Sequence, residues 1–341
     1  MNDLPCQDLW KQAKVTNRLL YVVFDEGHCV SQWGSTFRSQ YLYVGNIRYL
    51  LPSHIPFFVT SATLPPNILE DVSEILRLRS NDRLAYFHDS NDRPNIHLVV
   101  RGLNYPIHSY KDLAFLIPPD FKAGDSTLPK FLIFFDNTTA CEDAVHFLRT
   151  RLPSECRSRI RYFHATMTTH YREETFDEFR AGEIWGMAVT DAFGMGLDLP
   201  DVQIVVQYRM PADMCTLWQR FGRAGRDFSL EAIAVLLVEN SHFDTERVQV
   251  INRKRQAAAQ ASERAAKRAR PNHAAESLAQ SLGLDCSLAT RIARYSKRLM
   301  HAAPGARNSK KEVELGTPLD DMVNAATRGF NCYREPILLY F

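Results

Sequence analysis

Phe131-Leu-Ile-Phe-Phe135, followed directly by Asp136-Asn-Thr-Thr139, decides the architecture of this chain. An apolar run without alternation is the mark of a strand buried on both faces, as in parallel sheets. The Asp-Asn-Thr-Thr segment that closes it carries the side chains that start a helix. Cys141, Ala144, Val145, Leu148 and Leu152 then fall at helical spacing, so the helix lays one apolar stripe back on the sheet. A strand leading into its own covering helix predicts a parallel sheet with right-handed crossovers.

The same grammar extends outward in both directions. Leu19-Leu-Tyr-Val-Val-Phe24 is a second such strand, expected to be buried on both faces, and it runs into Asp25. Phe57-Phe-Val-Thr60 is another, ending in Ser61-Ala-Thr63. Tyr171 to Arg180 reads as a helix stopped by Gly182, with strands at Met187–Thr190 and Val202–Tyr208. Met214, Leu217, Trp218 and Phe221 sit at i, i+3, i+4 and i+7, the packed face of one more helix. The polar segment Asn81–Asn95 reads as an interdomain linker.

At 341 residues, with apolar and charged fractions near average, the chain is long enough for two globular domains and a tail. The late apolar run Ala232–Val238 is far too short to cross a bilayer. No basic segment followed by an apolar one opens the sequence, which argues against secretion. Seven cysteines without a Cys-x-x-Cys pair point to reduced thiols and against a complete zinc site. The net charge of +2 is uneven: residues 251–311 hold 14 Lys/Arg against 3 Asp/Glu, leaving −9 on the remainder. Nucleic acid would therefore have to be met by local stripes or by that tail. Ile251–Arg270 has no apolar stripe and reads as a solvated helix or disorder, whereas Met322–Phe341 regains apolar character.

Two constellations carry chemistry. Asp25-Glu26 closes an apolar strand, the placement that puts a carboxylate pair at the ligand-binding edge of a parallel sheet. By itself that pair reads more readily as a solvated loop. The second is Gln219-Arg-Phe-Gly-Arg-Ala-Gly-Arg-Asp227, where glycines permit a tight turn and Arg223 and Arg226 can meet phosphate bidentately. A phosphate loop ending in Gly-Lys-Ser or Gly-Lys-Thr does not occur in the sequence.

The arginine string resembles motif VI of helicases with two RecA-like lobes, and Asp25-Glu-Gly-His28 resembles their Walker B motif, with Gly27 where Ala is usual. Ser61-Ala-Thr63 is similar to motif III, and Asp191-Ala-Phe-Gly-Met-Gly-Leu-Asp198 to motif V. More narrowly, His28-Cys-Val-Ser-Gln-Trp-Gly-Ser-Thr-Phe-Arg-Ser-Gln-Tyr41 resembles the aromatic-rich loop of RecQ helicases, and Arg93-Pro-Asn-Ile96 and Phe163-His-Ala165 also match that family. The likeness runs from about Leu19 to about Asn240.

The resemblance implies an α/β fold: a partial first RecA-like lobe over residues 1–88, a complete second lobe over 89–240, a basic helical or disordered tail over 241–320, and the start of an incomplete zinc module over 321–341. It implies ATP and Mg²⁺ as cofactors, single-stranded and duplex DNA as partners without a membrane role, 3′-to-5′ unwinding in recombination and repair, and the nucleus as location. Asp25 and Glu26 would handle magnesium and water. Arg223 and Arg226 would supply the arginine finger, positioned by Gln219. His28 and Gln32 would link the nucleotide site to the loop, where Trp33, Phe37, Arg38 and Tyr41 would meet single-stranded DNA by sequence-tolerant stacking. Ser61 and Thr63 would join that coupling, and Thr190 and Asp198 would touch DNA backbone. Packing in the core is the alternative for the aromatics, Tyr41 above all.

Two departures qualify these expectations. The family's pattern opens with a nucleotide-base motif and a Gly-Lys-Ser loop, and the 24 residues before Asp25 resemble neither; little or no ATPase activity is expected from this polypeptide alone, and without strands to cover Leu19–Phe24 its apolar surface is expected to stay exposed. Asn331–Phe341 is similar to the opening helix of the family's zinc module, with Cys332 as a first ligand whose partners the sequence does not hold, so zinc is not expected. Lys254-Arg255 followed by Lys267-Arg-Ala-Arg270 reads as a bipartite import signal or a solvated basic face. The alternative function is a non-catalytic paralogue that binds DNA or a protein.

Overall fold

A computed structural model describes residues 18–31, 44–193, 199–266 and 317–341. The chain divides between Asp92 and Arg93 into two compact units.

In the first unit, β1 (Val22–Phe24) pairs in parallel with β2 (Phe57–Val59), Val22 opposite Phe57 and Phe24 opposite Val59. Leu19, Val22, Phe24 and Phe57 pack on the buried Ile47, Leu51 and Ile55 around helix α1 (Ile47–Leu50). The rings of Phe24 and Phe57 meet edge-on at 5.1 Å, and the Arg48 guanidinium lies 3.3 Å over Phe57. Helix α2 (Pro66–Ile75) starts on a proline, which suits a first turn whose amides have no partner anyway, and buries Ile68 and Val72 completely. The apolar run of β1 has the composition for burial on both faces, but the surface expected to stay exposed on it is exposed in the structure. Val23 is 49% exposed and its register partner Phe58 57% exposed, so one face of this strand pair is open. Apolar runs report the capacity to be buried on both faces, and which faces are covered depends on the elements packed there.

The second unit is a six-stranded, all-parallel sheet. Its strands are β3 (Ile96–Gly102), β4 (Phe131–Phe134), β5 (Ile160–Phe163), β6 (Gly186–Val189), β7 (Ile204–Tyr208) and β8 (Ala232–Val238), in the order β3-β8-β7-β4-β6-β5. Every residue of β4 and β6 is buried, as unbroken apolar runs require. Helix α3 (Thr138–Thr150) begins where Asn137 Oδ1 accepts from the Ala140 amide at 2.7 Å, and it buries Cys141, Ala144, Val145 and Leu148. Helix α4 (Thr169–Ala181) is capped by Thr168 and ends at Gly182. Helix α5 (Met214–Phe221) is capped by Asp213, whose carboxylate accepts from the Thr216 amide at 2.8 Å. Met214, Leu217, Trp218 and Phe221 are all buried, as their spacing predicts.

Strands β3 and β5 are the two edges of this sheet, and the sequence does not announce them. His97 and Arg101 in β3, and Arg161 in β5, dilute the apolar signal, as charged residues on edge strands commonly do.

Beyond the sheet, helix α6 (Asp244–Ala266) carries the basic residues Arg253, Lys254 and Arg255 exposed. Its start is fastened by the segment 317–330. Asn324 Oδ1 accepts from the Asp244 amide at 2.6 Å, and Arg328 reaches the carboxylates of Asp244, Asp320 and Asp321 at 2.7, 2.6 and 2.8 Å. Burial works against the charge of Arg328, but these carboxylates outweigh it and hold its pKa above the usual arginine value. Cys332 is exposed just ahead of helix α7 (Arg334–Tyr340). Among the described residues, no group of three or more His, Cys, Asp or Glu is arranged to hold a metal, and no helix is long and apolar enough to cross a membrane.

Candidate functional site

The carboxylate corner of the first unit is built by the parallel pairing of β1 and β2. The Thr60 amide donates to Phe24 O at 3.0 Å and the Gly27 amide to Thr60 O at 2.9 Å, extending the ladder past both strands. This holds Asp25 and Glu26 at the carboxyl end of β1. Glu26 adopts φ 49°, a left-handed conformation that costs a side-chain-bearing residue about 1 kcal/mol or more. Its amide donates to Asp25 Oδ1 at 2.9 Å. A Cβ on Gly27 would stand 2.4 Å from Val59 Cγ1, so the close approach of the two strand ends requires glycine as the chain is packed.

His28 is buried and ties this corner to the loop after β2. Its Nδ1 bonds Ser61 Oγ at 2.8 Å, and Ser61 Oγ lies 3.2 Å from both the amide and the carbonyl of Thr63. Glu26 Oε2 is 3.3 Å from the same ring nitrogen but without hydrogen-bond geometry, and it is a buried oxygen with no hydrogen-bond partner among the described residues. A buried carboxylate oxygen left unsatisfied next to the exposed Asp25 carboxylate is a pair of hard oxygen donors of the kind Mg²⁺ takes alongside phosphate oxygens. The neighbouring thiol of Cys29 is pushed up to about 12, first by burial and then by the charges of Glu26 and Asp25. Gln32, Trp33, Phe37, Arg38 and Tyr41 lie outside the described residues, as does Asp198.

In the second unit the arginine turn follows α5, with Gln219, Arg223 and Arg226 all half-buried. The turn is fastened to the amino-terminal ends of the strands. The Gly225 amide donates to Val202 O at 2.9 Å and the Asp227 amide to Pro200 O at 3.1 Å, both just before β7. Arg93 Nη2 donates to Gly225 O at 2.6 Å and to Ala224 O at 3.2 Å, and Asn95 Nδ2 to Gly225 O at 2.8 Å and Leu230 O at 3.1 Å. Gly225 sits at φ 52°, and a Cβ there would meet Asn95 Nδ2 at 2.7 Å. Thr190 closes β6, its amide donating to Phe163 O at 3.3 Å and its carbonyl accepting from Phe193 at 2.9 Å.

Arg220 is the residue the sequence reading passes over. It is buried on α5, with its guanidinium donating to Asp136 Oδ1 at 2.8 Å, Asp191 Oδ1 at 2.8 Å and Gln207 Oε1 at 2.7 Å. One side chain thereby ties together the ends of β4, β6 and β7. A basic residue among Leu217, Trp218 and Phe221 is itself a signal for a buried ion pair, and Asp136 and Asp191, each just past a strand, are its natural partners.

Comparison with known proteins bears on both halves. The model of the helicase conserved C-terminal domain matches residues 121–227. The ATP-dependent helicase wrn-1 of Caenorhabditis elegans is 33% identical over 214 residues, covering 61% of this chain and 19% of that protein. The mouse bifunctional 3′-5′ exonuclease/ATP-dependent helicase WRN (Mus musculus) is 31% identical over 241 residues, 70% of this chain and 16% of its own length. The ATP-dependent DNA helicase RecQ of Pasteurella multocida is 29% identical over 226 residues, 66% of this chain and 33% of its own. The chain thus spans a third or less of the length of these relatives. Among solved structures, the DUF1998 helicase MrfA bound to DNA and AMPPNP superposes with a TM-score of 0.51 at 18% identity, covering 71% of this chain and 35% of that one. Dbp5 of S. cerevisiae bound to RNA and ADP BeF3 gives 0.50 at 20% identity, covering 69% and 57%. At these identities the two structures show the fold: parallel α/β units of the RecA-like helicase type.

Proposed function

We infer that this chain, which belongs to the RecQ family of helicases, works in ATP-dependent unwinding of DNA in the 3′-to-5′ direction. The observation that carries the reading is the Asp25-Glu26 corner, where a strained glutamate keeps a buried oxygen that makes no hydrogen bond among the described residues beside an exposed aspartate, and His28 links it to Ser61. Mg²⁺-bound ATP would supply the phosphoanhydride bond whose hydrolysis drives the motor. Asp25 would hold the metal and Glu26 would orient the attacking water. His28, Ser61 and Thr63 couple that corner to the DNA, which Gln32, Trp33, Phe37, Arg38 and Tyr41 contact. Arg223 and Arg226 grip phosphate oxygens, with Gln219 supporting them, and Thr190 and Asp198 meet the DNA backbone. The carbonyl clamp on Gly225 supports this role, because a finger contributes only if it is already in place.

The test is a chimera in which the phosphate-loop half-lobe of a RecQ relative is placed ahead of Met1. Single-stranded DNA should stimulate its ATP hydrolysis. Arg226→Ala should lower that rate by about 10³-fold or more, the scale of an arginine finger, and Glu26→Gln should abolish it. Stimulated hydrolysis indifferent to both substitutions overturns the reading.

A second reading, a non-catalytic DNA-binding paralogue, takes its support from the exposed basic residues Arg253, Lys254 and Arg255 on α6. On that reading the chain retains single-stranded DNA with a steep salt dependence and no response to ATP. The exposed Lys254 and Arg255 on α6 support nuclear import as the location signal, together with Lys267–Arg270, which lie outside the described residues.

A further inference from the structure

Three hydrogen bonds from two side chains converge on the arginine turn. Gly225 O accepts from both Arg93 Nη2 at 2.6 Å and Asn95 Nδ2 at 2.8 Å, so both lone pairs of that carbonyl are engaged. On the other side of the same residue, the Gly225 amide donates to Val202 O at 2.9 Å. Gly225, which directly precedes Arg226, is therefore pinned at its amide and its carbonyl, in a conformation that glycine adopts without strain.

The clamp is itself held from a distant part of the chain. Arg334 Nη1 donates to Arg93 O at 2.9 Å and Arg334 Nη2 to Ile96 O at 2.6 Å, bracketing the Arg93-Pro-Asn-Ile96 segment. The Arg93 guanidinium also lies 4.9 Å over the exposed ring of Phe228, on the far side of the turn.

Stability alone does not call for this arrangement. It sets Arg93 close enough to Arg226 that, after burial, the charge of Arg226 is what lowers the Arg93 pKa. It also leaves Arg93 Nε and Asn95 Oδ1 buried without hydrogen-bond partners among the described residues. Two adjacent cations and two unsatisfied atoms are costs that a neutral turn would avoid. A bound polyanion relieves the first of them.

We propose that Arg93 and Asn95 are positioning residues that fix the Gly222–Asp227 turn so that Arg226 is presented ready for phosphate, and that Arg334 holds them in register. This rests on the reading of Arg226 as a phosphate-gripping residue.

The experiment uses the 341-residue protein with two readouts: hydrogen exchange at the Gly225 amide, and affinity for inorganic triphosphate. Asn95→Ala should speed Gly225 exchange by about fivefold to thirtyfold, the loss of one or two net hydrogen bonds. It should weaken triphosphate by at least about fivefold, while the exchange of Ile133 and Val206 amides in the sheet stays as in the parent. Arg93→Lys, which retains a charge and one donor, should restore part of both losses seen in Arg93→Ala. Arg334→Ala should move both readouts in the same direction by less. Unchanged Gly225 exchange in Asn95→Ala and Arg93→Ala overturns the proposal. So does faster exchange with unaltered triphosphate affinity, because the clamp is then only structural. Should Asn95→Ala fail to fold, the Arg93→Lys and Arg93→Ala pair decides alone. Arg226→Ala tests the underlying reading separately: triphosphate binding equal to the parent removes the phosphate role, and the clamp is then judged by Gly225 exchange.

Discussion

His28 Nδ1 lies 2.8 Å from Ser61 Oγ, a bond that joins the carboxylate corner after β1 to the loop after β2. Because His28 is buried, bulk water does not make good the loss of that hydroxyl. Ser61→Ala is expected to cost about 1–3 kcal/mol, the penalty of an unsatisfied buried polar group. Ser61→Thr, which keeps the hydroxyl, should cost less. Denaturant midpoints of the two variants check this, and equal losses would mean that the bond contributes nothing.

Gly27 and Val59 form a second testable pair. A Cβ at position 27 would stand 2.4 Å from Val59 Cγ1, and a β-branched side chain has few rotamers in which to retreat. Gly27→Ala should destabilise by about 1–3 kcal/mol through overpacking. Combining it with Val59→Ala should recover part of that loss. A double-mutant cycle with no coupling between the two positions contradicts the packing account.

Arg328 is the fastener for the start of α6. Its guanidinium serves Asp244, Asp320 and the fully buried Asp321. Arg328→Ala takes from that buried carboxylate the guanidinium that serves it, for an expected loss of about 3–5 kcal/mol in chemical unfolding. The pH dependence has a definite sign. The hydrogen bond from Arg328, opposed by burial and aided by the charges of Arg328 and Arg247, holds the Asp244 carboxyl below its ordinary value. Its stabilising contribution is thus present above the unfolded carboxylate pKa of about 3.9 and is lost as pH falls through the lower, folded value. The parent should lose stability over that acid window more steeply than Arg328→Ala does.

Thiol chemistry should separate the cysteines. Cys141 is fully buried on α3, and burial, followed by a smaller effect of the Glu142 charge against a hydrogen bond at Phe163, pushes its thiol up to about 12. Cys332 is exposed. Iodoacetamide at pH 8 should label Cys332 in the native protein and reach Cys141 only on unfolding, as mass spectrometry of peptides would show. Native-state labelling of Cys141 at a comparable rate would refute its burial.

The sequence by itself determined the α/β class, the helix start within Asp136–Thr139, the packed face of α5, and the residue types that mark the carboxylate corner and the arginine turn. These are readable because they depend on local periodicity and on side chains a few residues apart. Only the tertiary structure decided which strands form the edges, that Arg220 gathers Asp136, Asp191 and Gln207, and that Arg93 and Asn95 share the Gly225 carbonyl. Asn95 and Gly225 are 130 residues apart in the chain, and Arg93 and Arg334 are 241 apart. No local pattern encodes such pairs, because a hydrogen bond depends on distance and angle in space, and the fold alone brings those donors and carbonyls within reach.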